Sequence, residues 1–112
     1  MIIDSHCHLD YEPIYSNLDS IINRAKESDV RYMLTISVTD KKYDVILNIL
    51  KKYLNVYGTY GIHPHEAKNH KEITKDIILN KINMSKKIIG IGETGLDFYY
   101  NHSEKNDQIR SF

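Results

Sequence analysis

The chain has 112 residues, and its 15 Lys plus Arg are balanced by 15 Asp plus Glu, so its formal charge is zero with the six His neutral. Residues 1–56 carry 7 basic and 8 acidic side chains and residues 57–112 carry 8 and 7, so neither half is a charged tail. A protein that grips nucleic acid mainly by charge needs a basic excess, so any nucleic-acid substrate must be held locally.

The 41% apolar and 27% charged content argues against disorder and fits one soluble domain. Uninterrupted apolar runs stop at about three residues (Met1–Ile3, Ile77–Leu79), so no membrane-spanning helix and no membrane partner are expected. Cys7, the single cysteine, excludes an intramolecular disulfide, and with no export-type leader at Met1 a cytoplasmic location is expected.

In chain order, Met1–Asp4 reads as a short buried strand. Leu18, Ile21, Ile22 and Ala25 recur at helical spacing behind a candidate cap at Ser16 or Asn17, which predicts an amphipathic helix over 17–28. Tyr32, Met33, Leu34, Ile36 and Val38 form a nearly continuous apolar stretch, the pattern of a strand covered on both faces. Thr39 or Asp40 then caps a second helix whose apolar side is Tyr43, Ile46, Leu47, Leu50 and Leu54. Val56–Ile62 is a third strand, ended by His-Pro-His. Ile73, Ile77, Ile78 and Ile82 mark a helix over about 72–84. Lys87–Gly92 is a fourth strand, Asn101–Asp107 is polar, and Gln108–Phe112 begins a further helix. Strands alternating with helices predict an α/β fold with a parallel sheet, either doubly wound or barrel-like. In both, ligands gather at the carboxyl ends of the strands.

The polar chemistry of the sequence sits at those ends. In Asp4-Ser5-His6-Cys7-His8-Leu9-Asp10, side-chain alternation puts His6 and His8 on one face and Cys7 on the other. Two imidazoles on one face can share a metal ion, or can simply hydrogen-bond beside a surface turn. Cys7 faces away from them with no paired base, which disfavours a nucleophilic role. In Gly61-Ile62-His63-Pro64-His65-Glu66, Pro64 ends the strand and fixes a loop carrying His63 and His65, as a rigid turn or as part of a site. Gly90-Ile91-Gly92-Glu93-Thr94-Gly95-Leu96-Asp97 matches a dinucleotide loop poorly, because no helix pattern opens there. The glycines admit a tight turn that leaves Glu93 at a strand exit as a carboxylate ligand or base. If the sheet curves, His6, His8, His63, His65, Glu93 and Asp97 converge. Mixed imidazole and carboxylate donors suit Zn, Mn, Fe or Ni better than Mg.

Ile2-Ile3-Asp4-Ser5-His6-Cys7-His8-Leu9-Asp10 resembles the amino-terminal signature of the TatD family of metal-dependent hydrolases, which are amidohydrolase-like TIM barrels. Gly61-Ile62-His63-Pro64-His65 and Gly90-Ile91-Gly92-Glu93-Thr94-Gly95-Leu96-Asp97 resemble the next two family motifs, in the expected order. The resemblance implies a deoxyribonuclease, typically a 3′-to-5′ exonuclease acting on DNA with two divalent ions (Mg, Mn or Zn). It implies that His6 and His8 bind one ion and that Glu93 bridges both as the central catalytic carboxylate. His63, His65 and Asp97 are implied to shape the site and contact substrate.

Further family ligands come from later strands: a His in a Pro-to-His-x-Arg segment, a second His, and an Asp near Glu-Thr-Asp. These motifs do not occur here. A TIM barrel needs about 250 residues, roughly 31 per strand-helix unit, so 112 residues are expected to form the first three to four units of a partial (β/α)8 barrel. Residues 1–112 thus read as the amino-terminal part of a single barrel domain. Its open edge predicts aggregation or pairing with a second chain that supplies the missing strands, and little nuclease activity alone. Two other readings stay open: a non-catalytic remnant or metal-binding interaction module, and a related amidohydrolase acting on C–N or ester bonds.

Overall fold

A computed structural model describes residues 1–112. Four strands alternate with four helices: β1 (Ile2–Cys7), α1 (Leu18–Glu27), β2 (Val30–Thr35), α2 (Tyr43–Lys52), β3 (Val56–Tyr60), α3 (Lys75–Ile82), β4 (Ile88–Ile91) and α4 (Lys105–Ser111). The strands form one parallel sheet in the order β1-β2-β3-β4. That is four strand-helix units, at the upper end of the expected three to four. No helix is long and apolar enough to cross a membrane.

Sequence periodicity locates each element, and local chemistry trims the ends. Asn17 occupies the position before α1, but its side chain does not cap the helix; its amide donates to Pro13 O at 2.8 Å instead. Ahead of α2, Asp40–Lys42 forms a 3-10 turn, so the helix begins later than a cap at Thr39 or Asp40 implies. Leu54, expected on the apolar side of that helix, lies beyond its end and is 89% exposed. Thr74 caps α3 by accepting from Ile77 N at 3.4 Å.

The core lies between the sheet and its helices. Ile22 of α1, Ile46 and Leu50 of α2, and Met33, Val56 and Tyr60 of the sheet are buried in one cluster. Tyr43 and Tyr60 meet edge to face at 4.7 Å between ring centres. Tyr60 Oη donates to Asp40 at 2.8 Å and Tyr43 Oη to Lys81 O at 2.8 Å, so each ring buries its body and satisfies its hydroxyl.

The opposite, concave face is uncovered, which corrects two expectations. β1 is not buried: Ile2 and Ile3 are exposed. β2 is covered on one face only, with Met33 in the core and Tyr32 exposed on the other side. Continuous apolar sequence does encode a strand meant for two covered faces; here the concave face has no packing partner. Ile3, Tyr32, Leu34, Tyr57 and Ile89 line a shallow apolar depression of about 340 Å³ on that face.

Candidate metal centre

The strand exits are laced together by backbone and small polar side chains. Ile36 N donates to Cys7 O, His63 N to Val38 O, and Gly92 N to Tyr60 O, each at 2.9 Å, and Glu93 N donates to Ser37 O at 2.6 Å. Thr59 Oγ1 donates to Gly92 O at 2.6 Å and accepts from Ser37 N at 3.1 Å, while Ser37 Oγ donates to Gly61 O at 3.3 Å. Ser37 and Thr59 are buried, so these bonds satisfy groups that water cannot reach. Gly61 makes the closure possible: a Cβ there would lie 2.5 Å from Gly92 C and 2.7 Å from Glu93 O. The lacing delivers Glu93, at the exit of β4, to the imidazoles at the exit of β1.

A ring nitrogen of His6, a ring nitrogen of His8 and a Glu93 carboxylate oxygen all lie within 4.8 Å of one another. Glu93 Oε2 is 3.6 Å from His6 Nε2 and 3.9 Å from His8 Nε2. His8 Nδ1 lies 3.2 Å from Ile36 O, and because a carbonyl only accepts, Nδ1 carries the proton and the Nε2 lone pair faces Glu93. Tyr11 stacks on the His8 ring, with 5.3 Å between ring centres and 26° between planes. Two imidazole nitrogens and one carboxylate oxygen, with one nitrogen already in the ligating tautomer, fit a divalent cation such as Zn or Mn.

His63 and His65 stand beside this triangle. His63 Nδ1 accepts from His65 N at 3.1 Å, and its Nε2 is 3.3 Å from Glu93 Oε1. Burial lowers the His63 pKa below its ordinary value against the opposing pull of Glu93, which favours the neutral ring. His65 lies edge to face with His63 at 4.4 Å, and its Nε2 donates to Asp97 Oδ2 at 2.7 Å. Asp97 therefore reaches the site only through His65. Its Oδ1 accepts from Tyr99 N and Tyr100 N, and the His65 hydrogen bond is the first cause that holds its carboxyl below the usual range. The cleft is about 380 Å³ and is lined by His6, His8, Tyr11, Val38, His63, His65, Glu66 and Glu93, with no Lys or Arg.

Cys7 behaves as the alternation predicts. Its thiol donates to Leu34 O at 3.4 Å, away from the imidazoles, and burial followed by the charges of Asp4 and Asp10 pushes its pKa up to about 12. Asp10 is buried with Oδ1 unpartnered, and desolvation raises its pKa.

A family model described as TatD related DNase matches residues 3–112. This chain belongs to the TatD-related DNase family. Among its relatives, an uncharacterized metal-dependent hydrolase of Buchnera aphidicola subsp. Baizongia pistaciae is 39% identical over 111 residues, covering 96% of this chain and 41% of that protein. The uncharacterized metal-dependent hydrolase YcfH of Escherichia coli K12 is 30% identical over 114 residues, covering 99% and 42%. In structure the chain is similar to the TatD homolog YjjV of E. coli K12, with TM-score 0.78 and 23% identity over 98% of this chain and 43% of that one. It is also similar to a TatD family hydrolase of Entamoeba histolytica, with TM-score 0.85 and 22% identity over 98% and 42%. The chain thus spans about two fifths of the length of the relatives and solved structures it matches, and its fold is a partial barrel.

The residues that lace the exits escaped sequence reasoning. Ser37 and Thr59 sit where polar residues interrupt apolar strand ends, a signal that could have marked them. Gln108, which is buried and bonds Asp97 N, Asp97 O and Ser103 O at 2.8–2.9 Å, gave no signal, because its partners lie 5 and 11 residues away in a loop.

Proposed function

We propose that this chain supplies the first part of the metal centre of a hydrolase that cleaves DNA phosphodiester bonds, working from the 3′ end with two divalent ions. The observation that carries the reading is the convergence of His6, His8 and Glu93 from two distant strand exits within 4.8 Å. One ion falls to these residues, and the second would draw on Glu93 and on ligands outside residues 1–112. Mg, Mn and Zn are the candidates, with the nitrogen donors favouring the softer ions.

The bound ions would supply positive charge at the phosphate and acidify a water. The chain's own side chains do the rest. His8 is oriented by the Ile36 carbonyl and by Tyr11 stacked on its ring. Glu93 spans the space between the His6 and His8 nitrogens and His63. His65, tethered to Asp97, places an imidazole on the cleft wall whose Nδ1 lone pair is not used by its bond to Asp97. Barrel closure is part of the proposal: β1 and β4 have unpaired edges, and Ile3, Ile89 and Ile91 are more than half exposed on or beside the concave face. These features suit further parallel strands, from the same or a second chain.

The test is calorimetric titration of the chain with Zn²⁺, alongside hydrolysis of 3′-labelled DNA by the chain alone and together with a co-expressed carboxy-terminal segment of a TatD relative. Expected are Zn²⁺ binding that weakens at least about tenfold in His8→Ala and Glu93→Ala, and DNA hydrolysis only in the complemented sample. Zn²⁺ affinity unchanged by both substitutions would sink the reading. Hydrolysis of small amides or esters with DNA left intact would assign the wider amidohydrolase chemistry, and metal binding with neither activity would assign a binding module.

A further inference from the structure

We propose that His63 is a positioning residue for Glu93: a neutral imidazole locked as its Nε2–H tautomer, which holds Glu93 Oε1 and leaves Oε2 to His6 and His8. The inference rests on the metal centre proposed above and assigns His63 a place outside the ligand set.

The backbone group that meets each Nδ1 sorts the imidazoles. At His8 that group is a carbonyl, Ile36 O at 3.2 Å, so the proton sits on Nδ1 and Nε2 is free to ligate. At His63 it is an N–H, His65 N at 3.1 Å, so Nδ1 is the acceptor and a neutral ring carries its proton on Nε2. Nε2 lies 3.3 Å from Glu93 Oε1, just beyond the usual N–H···O range and not aligned for a hydrogen bond as it stands, so a small side-chain shift is needed to bring the proton onto that oxygen. For Nε2 to ligate a cation, the proton would have to move to Nδ1, where it would face the His65 N–H.

Neither partner can move aside easily. His63 N is bound to Val38 O at 2.9 Å, Glu66 N is bound to His63 O at 2.8 Å, and Pro64 fixes the first step of the turn that brings His65 N back over the ring. Glu93 N is bound to Ser37 O at 2.6 Å. With both backbones pinned, an N–H beside Oε1 restricts rotation of the carboxylate and turns its other oxygen toward the 3.6 and 3.9 Å contacts with His6 and His8. Groups that orient a ligand in this way typically change metal affinity by about 10–100-fold.

The test uses Zn²⁺ alone with His63→Gln, His63→Phe and His63→Ala, plus long-range ¹H–¹⁵N correlation spectra of the metal-free chain. A glutamine amide carries an N–H close to the Nε2 position, whereas phenylalanine fills the space without a donor. Expected are Zn²⁺ affinity within about threefold of wild type in H63Q and a loss of about tenfold or more in H63F and H63A. The spectra should show the His63 proton on Nε2 and the His8 proton on Nδ1. H63Q as weak as H63A, H63F as tight as wild type, or a proton on His63 Nδ1 overturns the assignment. Wild-type Zn²⁺ binding no tighter than that of Glu93→Ala would overturn the metal centre itself, and the tautomer spectra separate that failure from this one.

Discussion

Replacing Gly61 with Ala tests whether the lacing of the strand exits holds Glu93 in place. The added Cβ would lie 2.5 Å from Gly92 C, 2.7 Å from Gly92 Cα and 2.7 Å from Glu93 O, where ordinary contact begins at about 3.4 Å. The shortfall of about 0.7–0.9 Å falls entirely on backbone, which cannot rotate away as a side chain can. Either the strain stays, at an overpacking cost of roughly 1–3 kcal/mol, or the Gly92–Glu93 segment shifts. A shift stretches the Glu93 N to Ser37 O and Thr59 Oγ1 to Gly92 O bonds, each worth about 0.5–1.5 kcal/mol. The two costs are alternatives rather than a sum, and Ala regains about 0.4–1 kcal/mol by restricting the unfolded chain. The expected net loss is therefore up to about 2.5 kcal/mol by urea unfolding, with Zn²⁺ affinity falling about tenfold or more because Glu93 moves. Gly58→Ala is the control. Its Cβ would meet side-chain methyls of Ile88, Leu50 and Ile46 at 3.1–3.2 Å, so it should cost about 1 kcal/mol and leave Zn²⁺ affinity unchanged. Full Zn²⁺ affinity in G61A, or an equal loss in G58A, would refute the reasoning.

Three further substitutions probe the surroundings of the site. The Asp97 carboxyl is held below its ordinary 3.8, so its contribution to stability is present above about pH 4 and is lost as pH falls through the lowered value. Asp97→Asn should flatten the stability profile in that window, and parallel acid-unfolding curves would contradict this. Gln108→Ala removes three hydrogen bonds, one buried bond to Ser103 O and two part-buried bonds to the Asp97 backbone. It should cost roughly 2–4 kcal/mol, with faster amide exchange at Asp97 as the local readout. Ile89, 60% exposed on the concave face, contributes little to the folded chain by itself. Ile89→Lys should change stability by no more than about 0.5 kcal/mol while reducing self-association in light scattering; a large loss of stability would mean that this face is packed.

The helix-facing half of the fold was legible because burial on one side imposes a helical period that survives in the sequence, as at Leu18, Ile21, Ile22 and Ala25. The concave face was misread for the opposite reason. Ile3, Tyr32 and Ile89 look like the inner face of a covered strand, and sequence pattern records the packing a strand is suited to rather than the packing present in 112 residues. The cluster of His6, His8 and Glu93 was legible because strand alternation makes His6 and His8 neighbours and a Gly-bearing turn frees Glu93. Asp97 was read among the groups that converge on the site, and the loop turns it to His65, a choice set by the bonds of Gln108 and by two backbone N–H groups.

Zero net charge acquires a local meaning at the cleft. Its lining carries Glu66 and Glu93 against four imidazoles and no Lys or Arg. The nearby Lys42 ammonium lies 4.3 Å from the centre of the Tyr11 ring and 3.5 Å from Asp10 O, and so is occupied outside the cleft. With neutral imidazoles the cleft is anionic, which attracts a divalent cation and repels a phosphate. A divalent cation between His6, His8 and Glu93 would cancel the two carboxylate charges and give a phosphate a local positive centre. The His8 Nδ1 bond to Ile36 O leaves Nε2 turned toward Glu93, so a divalent cation would bring its charge into the cleft at the His6, His8 and Glu93 triangle.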